Sequence, residues 1–200
     1  MGQIYKDVSP QKTESFLKLI QENDNNQSFN KDHVKIMTQY LPFISDYERL
    51  VCEDYSTVPN QIKHYLRDVD SIKPIQYSAD PWLDNLLSEK NLDLNEQNIA
   101  AYVRFYFDYF INGSDTLKPI RFTDEITWQD DISPSIRQSM EKNLLLYPEI
   151  NIEQENFLIK MPCVFRQSII IVTFNIDPQG RINIENRDIL IDDLPIKNLP

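Results

Sequence analysis

The run Ser168-Ile169-Ile170-Ile171-Val172-Thr173-Phe174-Asn175-Ile176 decides the fold of this chain. It consists almost entirely of β-branched and aromatic residues, which favour strands. The turn Asp177-Pro178-Gln179-Gly180 follows, where proline presets φ at the second position and glycine supplies a positive φ at the end. Because a strand that is apolar on both faces needs cover on both, the run predicts a central strand with a layer packed on each side of its sheet.

The rest of the C-terminal part predicts antiparallel strands and helices around this run. We expect strands at 157–161, 164–176, 181–185 and 189–191, with Pro162 marking an edge, a strand start or a bulge. A further strand with a bend at 123–125 is expected from Ile120 to Trp128. Helices are predicted from the starts Asp80-Pro81, Asn95 and Ser133-Pro134, the second running to Ile111 before Gly113 and the third carrying Ile136, Met140 and Leu144.

The N-terminal residues 1–79 read as a helical region that precedes an α+β domain over residues 80–200, although the two parts are also consistent with one domain. Ser9-Pro10 predicts the start of a first helix, and Asn30 predicts a second helix whose apolar side is Val34, Met37 and Leu41. A third helix is expected at 46–54. The segment 55–77 fits either a helix or a strand.

The element order of residues 80 to 195 resembles the nuclear-transport-factor-2-like and cystatin-like folds. In both, a curved antiparallel sheet wraps a long helix, and here the long helix is the aromatic one at 95–111. The resemblance implies an α+β cone with a pocket between helix and sheet. These folds host enzymes, receptors and scaffolds, so the resemblance implies no activity.

Composition limits the classes of partner. The chain has 200 residues and a formal net charge of −11, which argues against binding to nucleic acid or to anionic membranes because both need clustered basic residues. It has no apolar run of about 20 residues and no signal-peptide core. We therefore expect a cytoplasmic protein in which Cys52 and Cys163 are reduced.

The aromatic helix carries the candidate ligand-binding residues. Tyr102, Tyr106 and Tyr109 share one face at helical spacing, and Trp128 is the fourth candidate. These rings either line a pocket, with the hydroxyl groups orienting a ligand, or fill the core. Arg104 and Asp108 are expected to form an ion pair four residues apart on the helix surface.

No catalytic constellation follows from the residues, so the catalytic residues are unknown. The neighbouring acids lack calcium-site spacing, a pairing of Cys52 with His64 lacks an oxyanion loop, and three glycines cannot build a phosphate loop. We expect no metal site and no cofactor.

Three functions are consistent with the sequence. The first is a non-enzymatic module that binds a protein partner or an apolar small molecule. The second is an enzyme with a cone-shaped aromatic pocket that uses a carboxylate with Tyr106 or Tyr109 as an acid–base pair. The third is a structural assembly subunit. A homodimer through the sheet would also cover the apolar run at 169–174.

Overall fold

The computed structural model describes residues 5–24, 29–75, 92–109, 117–129 and 132–197. The chain divides into two units, unit 1 (Met1–Gln76) and unit 2 (Tyr77–Pro200). Unit 1 contains helix α1 (Pro10–Asn23) and strands β1 (Lys6–Asp7), β2 (Val34–Tyr40), β3 (Glu48–Asp54), β4 (Gln61–Arg67) and β5 (Ile72–Pro74). Unit 2 contains helices α2 (Ile99–Tyr109) and α3 (Pro134–Leu144), a 3-10 helix (Thr123–Glu125), and strands β6 (Lys118–Pro119), β7 (Glu149–Glu153), β8 (Asn156–Phe165), β9 (Ser168–Ile176) and β10 (Ile182–Ile191).

The decisive run is strand β9, and it lies inside the sheet of unit 2 as predicted. The strand order is β10-β9-β8-β6, with β7 also pairing with β8, and all described pairs are antiparallel. The turn after β9 is confirmed as well, since the Gly180 amide donates to the Asp177 carbonyl at 2.9 Å and Gly180 has a φ of +80°.

The two faces of β9 are covered differently. One face carries four buried side chains, Ile170, Val172, Phe174 and Ile176, and the ring of Phe107 in α2 lies 5.1 Å from that of Phe174. On the other face, Ile169 belongs to a buried cluster with Met140 and Leu144 of α3. Thr173 and Asn175 continue that face, so it is apolar at one end only.

Pro162 lies inside β8, opposite Ile171 of β9. Its carbonyl accepts from the Ile120 amide at 2.9 Å, on the side away from β9. In an antiparallel strand the nitrogen and carbonyl of one residue point to the same side, so the missing N–H of Pro162 removes no bond to β9. The predicted strand at 164–176 is wrong as a single strand, because a turn at Arg166 and Gln167 divides it between β8 and β9.

Unit 1 differs from the helical region that the sequence predicts. Helix α1 is confirmed, but the helices expected from Asn30 and at 46–54 are wrong, since those segments form β2 and β3. The ambiguous segment 55–77 contains β4 and β5. A helical N-terminal region over 1–79 is therefore not confirmed. The described part of unit 1 is a five-stranded antiparallel sheet, ordered β1-β2-β3-β4-β5, with α1 packed on one face.

Two predictions in unit 2 are also corrected. The segment from Ile120 to Trp128 contains the 3-10 helix and one isolated bridge from Trp128 to Ile196, in place of a continuous strand, and β7 has no counterpart in the sequence-based prediction. Helix α3 begins after Ser133 as expected, with the Ser133 hydroxyl accepting from the Ile136 amide at 3.3 Å. The helix predicted from Asp80-Pro81, the end of the aromatic helix and Gly113 lie outside the described residues.

Candidate functional site

Tyr102 is part of the core of unit 2. Its side chain is 1% exposed, and its hydroxyl donates to the Gly180 carbonyl at 2.6 Å. The hydrogen bond ties α2 to the turn between β9 and β10. A Cβ atom on Gly180 would lie 2.7 Å from the same hydroxyl oxygen, so glycine permits this close approach.

The other three predicted ligand-binding residues are spread over two places. The half-buried Tyr106 ring has its centroid 6.4 Å from that of Tyr102. Tyr109 is 2% exposed and packs on Phe105 with centroids 5.0 Å apart. Trp128 instead packs against the cluster under α3, and its buried indole nitrogen has no acceptor among the described residues. Neither cavity described below is lined by these four residues, and a pocket at the aromatic helix stays a prediction.

Arg104 connects α2 to the 3-10 helix. Its guanidinium forms an ion pair with Glu125, whereas the sequence predicted Asp108 as its partner. Glu125 also accepts from the Arg121 amide at 3.3 Å, and Lys118 donates to the Glu125 carbonyl at 2.9 Å. These contacts fix the loop that carries residues 121–125, which forms one wall of a cavity.

The cavity lies between the 3-10 helix and α3, and we call it the α3 groove. Its volume is about 570 Å³, and it is lined by Arg121, Phe122, Thr123, Asp124, Arg137, Glu141, Leu144 and Leu145. Helix α3 supplies one wall because Met140 and Leu144 point into the buried cluster beneath it. Arg137 and Glu141, four positions apart on the helix, both line the opening.

The charged groups of the groove are only partly engaged. Thr123 donates its hydroxyl to Glu141 at 3.1 Å, and the Arg121 guanidinium carbon lies 5.1 Å from the centre of the Phe122 ring. Among the described residues, neither Arg121 nor Arg137 has a carboxylate within ion-pair distance. Two arginines without an ion pair are notable in a chain with 31 acidic and 20 basic residues.

Exposed apolar side chains occur in the lining of the groove, at Phe122 and Leu145, and elsewhere along α3 and its end, at Ile136 and Leu146. The exposed fractions are 46% for Phe122, 44% for Ile136, 79% for Leu145 and 71% for Leu146. Single exposed apolar residues are ordinary, whereas exposed apolar residues that line a cavity are a feature of interaction sites.

A second cavity, in unit 1, is polar. Its volume is about 440 Å³, and it lies beside α1 and β2. Its charged groups pair with one another: Lys35 with Asp7 at 3.0 Å and Lys31 with Glu14 at 3.2 Å. The hydrogen bond to Asp7 raises the pKa of Lys35. This internal pairing leaves little for a ligand to satisfy.

Unit 1 also contains a buried polar cluster on the sheet face opposite α1. Arg49 donates to Gln39 at 3.2 Å and lies 3.4 Å from Nδ1 of His64. Burial, together with the Arg49 charge, lowers the pKa of His64 to about 4. His64 is therefore neutral at pH 7.

The structure separates Cys52 from His64. Cys52 pairs with Lys63 and His64 pairs with Val51, so the two side chains lie on opposite faces of the sheet. Burial raises the pKa of the Cys52 thiol to about 12, and burial raises the pKa of Cys163 as well. A Cys–His nucleophile is therefore contradicted.

The described residues contain no group of three or more His, Cys, Asp or Glu side chains arranged to hold a metal ion. No described helix is long and apolar enough to cross a membrane.

Comparison of the chain with models of protein families, with curated protein sequences and with solved structures gave no match. The resemblance to the nuclear-transport-factor-2-like and cystatin-like folds stays a prediction.

The groove was missed by the sequence analysis. Its arginines are far apart in sequence and belong to no motif. The one available signal is the run Leu144-Leu145-Leu146 at the end of an amphipathic helix. Only one of three consecutive leucines can lie on the same buried face of the helix as Met140, so the other two must face solvent or a partner.

Proposed function

We propose that this protein is a non-enzymatic interaction module, and that it binds a partner protein through the α3 groove. The observation that carries the proposal is the combination, at one place, of an open cavity, the exposed apolar side chains of Phe122 and Leu145, and two arginines without ion pairs among the described residues. Interface centres are enriched in aromatic residues and arginine, which matches this set of side chains.

A protein partner fits the groove better than a small metabolite does. Small-molecule sites bury most of the ligand surface, whereas here the lining residues Phe122 and Leu145 are themselves 46% and 79% exposed. The complementary surface would present an apolar anchor for Phe122 and Leu145 and a carboxylate for Arg137.

The enzymatic alternative has less support. Tyr109 is 2% exposed, so a proton-transfer role would require a pocket to open beside it. The groove itself contains no histidine, cysteine or tyrosine.

Anilinonaphthalene sulfonate, a dye that is both apolar and anionic, tests the proposal. We expect its fluorescence to rise on mixing with the native protein, and the rise to fall several-fold in Leu145→Asp and Arg137→Gln, because each removes one of the two attractions. Val69→Asp and Lys142→Gln are the matched controls. Val69 is 85% exposed in unit 1, and Lys142 lies on α3 outside the groove lining. Equal dye binding by all five proteins would overturn the proposal.

A further inference from the structure

We propose that the partner bound by the α3 groove is a second copy of this chain, docked groove to groove about a two-fold axis. This inference rests on the proposed function, because it names the occupant of the same surface. Two-fold dimers use one surface of each subunit, which must therefore complement itself.

The charges of the groove meet that requirement. Its lining contains two arginines and two acids, so it is formally neutral, while the chain as a whole carries −11. Among the described residues, Arg137 and Asp124 both lack an ion-pair partner. In the proposed dimer the two-fold axis lies so that Arg137 of one copy is opposite Asp124 of the other, and symmetry forms the pair twice.

Long-range electrostatics favour the same face. Two copies that each carry −11 repel one another on average, and a neutral patch is where they approach at the lowest cost. The same contact covers the exposed Phe122 and Leu145, because the apolar side chains of the two copies pack against one another.

The edge of the sheet in unit 2 is a poorer place for self-association. Strand β10 pairs with β9 through two register shifts, between Ile184 and Asn186 and between Ile189 and Ile191. Bulges and charged side chains such as Glu185 and Asp188 discourage edge-to-edge pairing. The groove depends on no strand pairing, and its charges are of both signs.

Sedimentation velocity on the full chain, at protein concentrations from about 1 μM to about 1 mM, tests the proposal over the range of weak to moderate dimers. We expect a monomer–dimer equilibrium in the wild type. Arg137→Asp and Asp124→Arg should each weaken it by about tenfold or more, since each change places like charges opposite one another twice. The double variant, Arg137→Asp with Asp124→Arg, should return to within about threefold of the wild type because it exchanges the two charges. Lys142→Asp is the control on the same helix.

The outcomes separate this inference from the proposed function. Rescue by the double variant supports self-docking. A wild type that stays monomeric at every concentration, while still binding the dye through Leu145, overturns self-docking and leaves the proposed function standing. A dimer that is insensitive to both single variants overturns self-docking in favour of another face, such as the sheet. A wild type that stays monomeric, and whose dye binding is unchanged in Leu145→Asp and Arg137→Gln, overturns both proposals.

Discussion

His64 shows what burial does to one titratable side chain. Its pKa is lowered to about 4 by burial and by the Arg49 charge, whereas a histidine in the unfolded chain titrates near 6.5. Above pH 6.5 both states are neutral and the stability is unaffected. Below pH 6.5 the unfolded chain takes up the proton first, so the free energy of unfolding falls as the pH is lowered from about 6.5 to about 4.

We therefore predict that His64→Gln reduces the loss of stability between pH 7 and pH 5. Urea unfolding of both proteins at the two pH values measures how much unfolding free energy each loses between pH 7 and pH 5. The carboxylates contribute equally to both losses, so they cancel when the variant is compared with the wild type. The same loss of stability in the variant and the wild type would show that His64 is not the group responsible.

Gly180 is the residue at which backbone and side-chain requirements coincide. Its φ is +80°, and a Cβ atom would collide with Leu92 Cδ1 and lie 2.7 Å from the Tyr102 hydroxyl oxygen. We predict that Gly180→Ala lowers the free energy of unfolding by about 1–3 kcal/mol, from the strained φ and the displaced neighbours.

Tyr102→Phe, which removes only the hydroxyl group, should cost about 1 kcal/mol. Gln179→Ala, at an exposed position of the same turn, is the control and should change the stability by less than about 0.5 kcal/mol. Thermal or urea unfolding measures all three. A neutral Gly180→Ala would contradict a tightly packed contact between the turn and α2.

At the scale of elements, three consecutive leucines at the end of helix α3 lie partly in the core and partly at the surface. Leu144 is 3% exposed and Leu145 is 79% exposed. We predict that Leu144→Ala lowers the free energy of unfolding by about 2–5 kcal/mol, because it leaves a cavity. Leu145→Ala should change it by less than about 0.5 kcal/mol, so the same substitution one residue away is its own control. Equal losses in urea unfolding would contradict this division.

The strands of unit 1 show why the sequence predicted helices there. In β2, the alternate residues Val34, Ile36 and Thr38 lie on the face towards α1. This spacing of two predicts a strand, but Val34, Met37 and Leu41 in the same segment have the spacing of a helix. In β3, Leu50 and Cys52 face α1 while Arg49 and Val51 are buried on the other face. In a strand buried on both faces, apolar and polar residues do not alternate, so the spacing of its apolar residues cannot distinguish it from a buried helix.

The second sheet was more predictable because its strands are long, rich in β-branched residues and joined by turns with recognisable chemistry. Asp177 illustrates this, since its carboxylate accepts from the amides of Gln179 and Arg181, both at 2.9 Å. The α3 groove was beyond the sequence, because the loop that forms one of its walls is held to α2 by the contact of Arg104 with Glu125. That contact joins residues 21 positions apart with no shared period.

At the scale of the whole molecule, two explanations of its function make different use of its aromatic and apolar side chains. In the first, the rings of α2 are core and the exposed apolar side chains beside α3 are the binding surface. In the second, a ligand enters beside Tyr102, Tyr106 and Tyr109. Tyr102 favours the first, because its hydroxyl is already bonded to Gly180.

The measurement that separates them most directly is a titration of the ¹⁵N-labelled protein with 3-phenylpropionate, followed by amide chemical shifts. Phenylpropanol, which lacks the carboxylate, is the matched control. We predict that phenylpropionate shifts the amides of residues 121–124 and 137–145, and that the alcohol produces weaker shifts at the same places. Shifts confined to residues 99–109 and 180 would contradict the account and would show that the ligand binds at the aromatic helix α2.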